Sequence, residues 1–300
     1  MLCMLPFGWR NTVRTFAIRT EKTWQNHKDS NTLRIMTWNM EYFYDLKPKA
    51  LIREGMLKTI EEFRPDIICI QEYLNIENHP RLVSPKKELD SLGYKFNFCS
   101  NDLINKKRNR LREEGVAIFS KMPFTDSFRI GLTKAPKSET LIYTDILFKN
   151  KPLRIFTAHL SSFALYTDTA WSTDGGDNIY VQTYDRKHAI QYKLRETEIL
   201  HQKEVSIIRK SIAASPHPVI YCGDLNTTPA SYNYSILRDD LQDAFLEKGS
   251  GIGATFYKIL PTLRIDVCFV DNLLQVQQCK AEERKLSDHY PVITDVKWKQ

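Results

Sequence analysis

Asp224 and Asn226 stand two apart, directly after the apolar run 219–222 and Gly223, and Pro229 closes the stretch. In an extended backbone, residues two apart project to the same side. A carboxylate and a carboxamide would then leave the end of a buried strand together; an Asx turn at that strand end is the alternative. The pattern recurs along the chain. Asn39 closes the run that starts at Leu33, with Glu41 just beyond it, and Glu72 closes the apolar run 66–72. His159 comes near the end of 153–160, Asp266 lies within 264–270, and Asp288-His289 immediately precede 291–298. Apolar runs that terminate in single polar residues are what an active site at the rim of a sheet requires. Acids gathered there repel one another and raise their own pKa values, and a divalent cation relieves that repulsion. The oxygen donors Glu72, Asp288 and Asn39 suit a hard ion, Mg²⁺ or Mn²⁺. The histidines raise zinc as an alternative, but no His-x-x-x-His or His-Cys spacing supports it.

The elements that would carry these residues alternate between strand and helix. Residues 47–63 read as a helix, with Ile52, Met56, Ile60 and Phe63 on one stripe and Arg64-Pro65 as its stop. A weaker helix covers 84–92, and strands follow at 94–99, 115–120, 140–148 and 153–160, the last two joined by a tight turn at 149–152. The basic run 106–112 reads as a hairpin loop. The connection 161–185 is long for a compact domain and rich in aromatics, which points to a substrate-shaping segment or one that packs over the sheet edge. The longest helix runs from 185 to about 214, and a short one covers 231–239. Strands and helices occur from end to end with no linker between 33 and 298, a layered α/β pattern. Residues 33–298 are expected to form one catalytic domain, and 1–32 an N-terminal lead-in, membrane-proximal or disordered.

Lys and Arg number 43 against 36 Asp and Glu, a net charge of +7. That excess favours an anionic partner such as nucleic acid, a phospholipid surface or a phosphoester, without choosing among them. None of the six cysteines has metal-like spacing, which argues against structural zinc and a disulfide framework.

The residues Thr37-Trp38-Asn39, Ile70-Gln71-Glu72, Gly115 to Ser120, Thr157-Ala158-His159-Leu160, Gly223-Asp224-Leu225-Asn226, Arg264-Ile265-Asp266 and Ser287-Asp288-His289-Tyr290-Pro291-Val292, in that order, resemble the endonuclease/exonuclease/phosphatase superfamily. It includes deoxyribonuclease I, abasic-site endonucleases, neutral sphingomyelinases, inositol-polyphosphate 5-phosphatases and deadenylases. The resemblance implies a four-layer α/β/β/α sandwich of two mixed, mainly antiparallel sheets with the site where the sheets open. It implies a hydrolase acting on phosphoester bonds, a phosphodiesterase with a metal- and His/Asp-activated water. Glu72 resembles the principal metal ligand, helped by Asn39 and Asp288. His289, held by Asp266, resembles the general base or phosphate-charge stabiliser, and Asp224 the acid that orients or deprotonates the attacking water. Asn226 resembles the phosphate-binding amide. His159 matches a second histidine of the deoxyribonuclease I and sphingomyelinase branches, and leans the chain away from the abasic-site enzymes.

Nucleic acid is the favoured substrate class, with a phospholipid or small phosphoester as the alternative and a catalytically silent binding module on the same fold as a remote one. Thr227-Thr228-Pro229 departs from the 5-phosphatase pattern and is similar to uncharacterised bacterial members, some of which carry N-terminal membrane segments. The apolar, arginine-rich residues 1–19 fit the end of such an anchor, so membrane association is expected, with a soluble cytoplasmic protein as the alternative. No protein partner is implied.

Overall fold

The computed structural model describes residues 17, 24–42, 50–77, 84–107, 110–133, 139–163, 183–258 and 262–300. In chain order the elements are β1 (Leu33–Asn39), α1 (Ala50–Phe63), β2 (Ile67–Glu77), α2 (Pro85–Ser91), β3 (Phe96–Cys99), β4 (Leu103–Lys107), β5 (Arg110–Ser120) and β6 (Phe124–Gly131). They continue with β7 (Thr140–Phe148), β8 (Lys151–His159), α3 (Thr183–Ala213), β9 (Val219–Asp224), α4 (Tyr232–Arg238), β10 (Gln242–Asp243), α5 (Ala244–Lys248), β11 (Asp266–Val270), β12 (Leu274–Ala281) and β13 (Val292–Trp298).

The strands form two sheets, one ordered β12-β13-β1-β2-β5-β3 with β4 on β5, the other β10-β11-β9-β8-β7-β6. Near the centre of each lies one parallel pair, β1 with β2 and β8 with β9; the other pairings are antiparallel. Each parallel pair needs a crossover, and α1 and α3 supply them.

Three apolar layers hold the sandwich together. Ile35, Cys69, Ile118, Ile155, Ile220 and Cys268 meet between the sheets. Met56, Ile60 and Phe63 of α1 cover the outer face of the first sheet against Trp38 and Ile70. Val205, Ile208 and Ile212 of α3 cover the second against Phe156 and Tyr221. Strands apolar on both faces explain why β1 is buried at every position and shows only partial alternation. Helix α1 stops where Arg64 turns left-handed (φ 48°) and donates its N–H to the Ile60 carbonyl, with Pro65 behind it.

The expected four-layer architecture is present, with local differences. Strand β2 does not end at Glu72 but runs to Glu77 through a bulge between Ile70 and Tyr73. Gln71 and Glu72 interrupt its apolar run, and Tyr73, Leu74 and Ile76 resume it as buried residues. Strands β4, β6 and β12 are not among the expected elements: β4 and β6 are polar or largely exposed, and β12 offers only the short alternation Leu274-Gln275-Val276-Gln277. The basic run 106–112 is mostly strand, at the end of β4 and the start of β5, with 108–109 outside the described residues. The packed body also begins before Leu33: Trp24 stacks edge-on to Phe63, Gln25 N–H donates to Gln278, and Lys28 pairs with Asp66 at 2.6 Å. Residues 1–16 and 164–182, which include the expected anchor and most of the aromatic connection, lie outside the described residues. Among the described residues no helix is long and apolar enough to cross a membrane.

Candidate active site

The site is where the layer between the sheets changes from apolar to polar. Along β1 the inward residues run Ile35, Thr37, Asn39; along β8, Ile155, Thr157, His159; along β9, Ile220, Cys222, Asp224. Asn39, His159 and Asp224 are the last residues of their strands. Just behind them Thr37 Oγ1 donates to Gln71 Oε1 (3.2 Å), and Gln71 Nε2 donates to Thr157 Oγ1 (2.9 Å), tying the two sheets together. Glu72 follows Gln71 directly, and strict alternation would send it to the outer face. The bulge, with Glu72 at φ 49°, resets that alternation and turns the carboxylate to the site. Glu41, Tyr42 and Asn226 are also left-handed there, at φ 45°, 63° and 47°. Such backbone strain in non-glycine residues gathers where surrounding structure enforces a functional geometry.

Asp224 faces Asp266 across β9 and β11. Leu225 N–H donates to the Ile265 carbonyl, making 225/265 a hydrogen-bonded pair. The next pair, 224/266, is therefore of the non-hydrogen-bonded kind, in which opposed side chains come closest. Two carboxylates so placed repel, and His289 lies between them. Its Nδ1 is 2.8 Å from Asp266 Oδ2 and its Nε2 3.6 Å from Asp224 Oδ2. The loop carrying it is fixed to β1: Trp38 Nε1 donates to the His289 carbonyl, and Ser287 Oγ to the Asn39 carbonyl. Burial pulls the imidazolium pKa down, but Asp266 and Asp224 outweigh it and push it up to about 10. Burial likewise raises Asp266, against the pull of His289. A raised imidazole pKa contributes stability that is full below its ordinary 6.5 and is lost as pH rises through about 10. The metal-free protein should therefore lose thermal stability across that window, and His289→Asn should flatten that part of a melting-temperature profile. A wild-type slope that survives the substitution would refute the assignment.

Asn39 joins this group to Glu72, its Nδ2 lying 3.1 Å from both Glu72 Oε1 and Asp224 Oδ2. Its Oδ1 accepts from Glu41 N–H at 3.1 Å. Asp288 Oδ2 accepts from Lys258 Nζ (2.9 Å), and its Oδ1 lies 3.3 Å from Ser287 Oγ. The same ammonium is 2.8 Å from Glu41 Oε1. Asp224, Asp266 and His289 offer ligand atoms within 4.8 Å of one another. Asn39 links Glu72 to this cluster, and Asp288 Oδ1 comes within 4.0 Å of His289 Nε2, while Cys222 and Cys268 lie deeper in the core. A donor set dominated by carboxylate oxygens fits a hard divalent cation. The histidines are already engaged with carboxylates, which argues against a zinc site built on them.

His159 closes the opposite side. Its Nε2 is 3.6 Å from Asp224 Oδ2, and its Nδ1 3.7 Å from Glu139 Oε2. Burial lowers the His159 pKa, but Glu139, Asp224 and Glu72 reverse this and leave it raised. Asn226 arrives by a turn rather than by strand alternation, since β9 ends at Asp224 and Asn226 is left-handed. Its backbone N–H donates to Asp224 Oδ1 at 2.8 Å, so the Asx turn and the shared site both exist. Its Nδ2 lies 2.8 Å from the Leu160 carbonyl and 3.0 Å from His159 Nε2. The amide expected to bind phosphate thus donates one hydrogen to the Leu160 carbonyl, and its contact with His159 Nε2 is a hydrogen bond only while that nitrogen is unprotonated. Gly223 is required here because a Cβ would collide with the Ala158 carbonyl oxygen on β8.

Residues 36–289 match the Endonuclease/Exonuclease/phosphatase family. The chain belongs to that family. It is 23% identical to "Carbon catabolite repressor protein 4 homolog 1" of Arabidopsis thaliana, over 67% of this chain and 33% of that protein. It is 22% identical to a DNA-(apurinic or apyrimidinic site) endonuclease of Dictyostelium discoideum, over 74% of this chain and 52% of that one. The chain therefore spans only a third to a half of these relatives. Among solved structures, an endonuclease/exonuclease/phosphatase from Beutenbergia cavernae aligns with a TM-score of 0.63 at 18% identity, covering 89% of this chain and 72% of that chain. The sandwich is thus the deoxyribonuclease I-like fold of the endonuclease/exonuclease/phosphatase family, whose hydrolases act on phosphoester bonds.

The structure brings all eight expected residues, Asn39, Glu72, His159, Asp224, Asn226, Asp266, Asp288 and His289, to this one edge. Sequence reasoning missed Glu139, at the foot of β7, and Lys258, in the segment between α5 and β11. Both sit outside apolar runs, and the pairing that delivers them is not visible in one dimension.

Proposed function

We propose that the chain is a divalent-metal-dependent phosphodiesterase that hydrolyses a nucleic acid. The observation that carries this reading is His289 held between Asp266 and Asp224 at the open edge of the sandwich, beside Glu72 and Asn39. The excess of basic residues and the similarity to an abasic-site DNA endonuclease support the substrate class.

Glu72 and Asp288, with Asn39, would hold Mg²⁺ or Mn²⁺. Bound there, the ion would neutralise charge developing on the phosphoryl oxygens. Asp266 fixes the His289 ring through Nδ1, leaving Nε2 directed at the cleft. In the metal-free protein Asp266 and Asp224 push the His289 pKa up to about 10, which supports a hydrogen-bond donor to the phosphoryl group over a general base. Asp224 is then the group that orients and deprotonates the attacking water. His159, also raised, stands 3.6 Å across Asp224 and can donate to the phosphate or the leaving oxygen.

The test is cleavage of labelled single- and double-stranded DNA and RNA by the purified chain with Mg²⁺ or Mn²⁺. Cleavage that EDTA abolishes is expected. Nucleic acids left intact, with turnover of a phospholipid or small phosphodiester instead, would overturn the substrate class; no turnover of any phosphoester would overturn the enzyme reading.

A further inference from the structure

Lys258 has no part in the chemistry above, yet its ammonium sits against the carboxylates of the site. Nζ lies 2.9 Å from Asp288 Oδ2 and 2.8 Å from Glu41 Oε1, bridging the two. The backbone leading to it is pinned. Tyr290 N–H donates to the Thr255 carbonyl at 2.6 Å, and Tyr257 N–H to the Asp288 carbonyl at 3.3 Å. The Tyr257 ring stacks on Tyr290 with centroids 5.0 Å apart, and Phe256 packs on His289 at 4.8 Å. The side chain beyond this anchor is half exposed, so it can leave the carboxylates for water without opening a cavity.

Of the two Asp288 carboxylate oxygens, Oδ2 is held by Lys258, while Oδ1 lies 3.3 Å from Ser287 Oγ, whose one hydrogen goes to the Asn39 carbonyl. A divalent cation that uses Asp288 must therefore displace the ammonium or sit with it on the same carboxylate, against like-charge repulsion. We propose that Lys258 is a resident counter-ion that competes with the divalent cation for Asp288 and so sets that ion's affinity. The inference rests on Asp288 being a metal ligand. In the metal-free protein the ammonium holds Asp288 and Glu41 together at the rim. With the ion bound, the displaced lysine stays tethered beside the cleft, where it adds one positive charge facing an anionic substrate. The site then charges itself most positively only when loaded.

Direct titration of the whole chain with Mn²⁺, read by the EPR signal of the free ion, separates the outcomes. Lys258→Met should bind Mn²⁺ about tenfold more tightly than wild type, from removal of one nearby like charge. Lys258→Arg, which keeps the charge, should stay near wild type. Asp288→Asn should weaken binding. Unchanged or weaker binding in Lys258→Met, with Asp288→Asn weakened as expected, overturns the role of Lys258 alone. Binding indifferent to Asp288→Asn overturns the assignment of Asp288 and this inference with it.

Discussion

His289→Gln should lower kcat on a cleavable phosphodiester by about a thousandfold or more, while the circular dichroism spectrum and the cooperative melt are retained. The ring is placed by Asp266 at 2.8 Å on one nitrogen and faces Asp224 on the other, so a neutral amide reproduces its bulk but not its positive charge. Asp224→Asn should produce a loss of similar size, because the amide cannot take a proton from water. The two side chains act on one reacting phosphate, so the double variant should be far less impaired than the product of the single losses. Steady-state kinetics at saturating metal measure all three. A His289→Gln enzyme within tenfold of wild type would refute the site assignment.

The largest effect on stability is expected at Arg264, next to the site rather than in it. Its guanidinium donates to Asp243 Oδ2 at 2.6 Å, with side chains 1% and 0% exposed. Asp243 also accepts from the Tyr234 hydroxyl and caps α5 through Phe245 N–H at 2.9 Å. Arg264→Met leaves that carboxylate buried with its main countercharge gone, a cost of about 3–5 kcal/mol for breaking a buried pair from one side. Asp243→Asn, which removes the charge and keeps an acceptor, should cost less. Urea unfolding of both variants measures the difference. A loss below about 1 kcal/mol for Arg264→Met would mean that Asp243 is held adequately by its remaining partners. Because Ile265 and Asp266 follow directly, a loosened Arg264 should also lower activity through His289.

This pair shows what a linear sequence does and does not reveal. Arg264 stood in a stretch with Asp266 whose acid reads as functional, while the arginine itself turns inward to a partner 21 residues away. Runs such as 219–222 were legible because strands buried on both faces need uninterrupted apolar residues. Their polar ends were legible because a core strand has no other use for an unpaired acid. Glu72 was found for a reason that proved incomplete: it sits in mid-strand, and only the bulge directs it to the cleft. For Asn226 the sequence left strand alternation and an Asx turn open, and the residue arrives through the turn. Edge strand β6 escaped notice because it is largely exposed and carries no apolar run. Lys258 and Glu139 depend on tertiary pairing, for which no local signal exists.

Cys222 and Cys268 oppose each other two residues inward from Asp224 and Asp266, with sulfurs 3.7 Å apart. Core and cleft are therefore successive rungs of the same two strands, on one face. A single-residue insertion or deletion in β9 or β11 would turn the acids toward α3 and the thiols with them, losing stability and chemistry in one event. Lineages descended from this protein should accordingly tolerate length changes in the surface connections but none within 219–224 or 266–270. New substrates would be acquired around a cleft whose acids are locked to the packing of the interior.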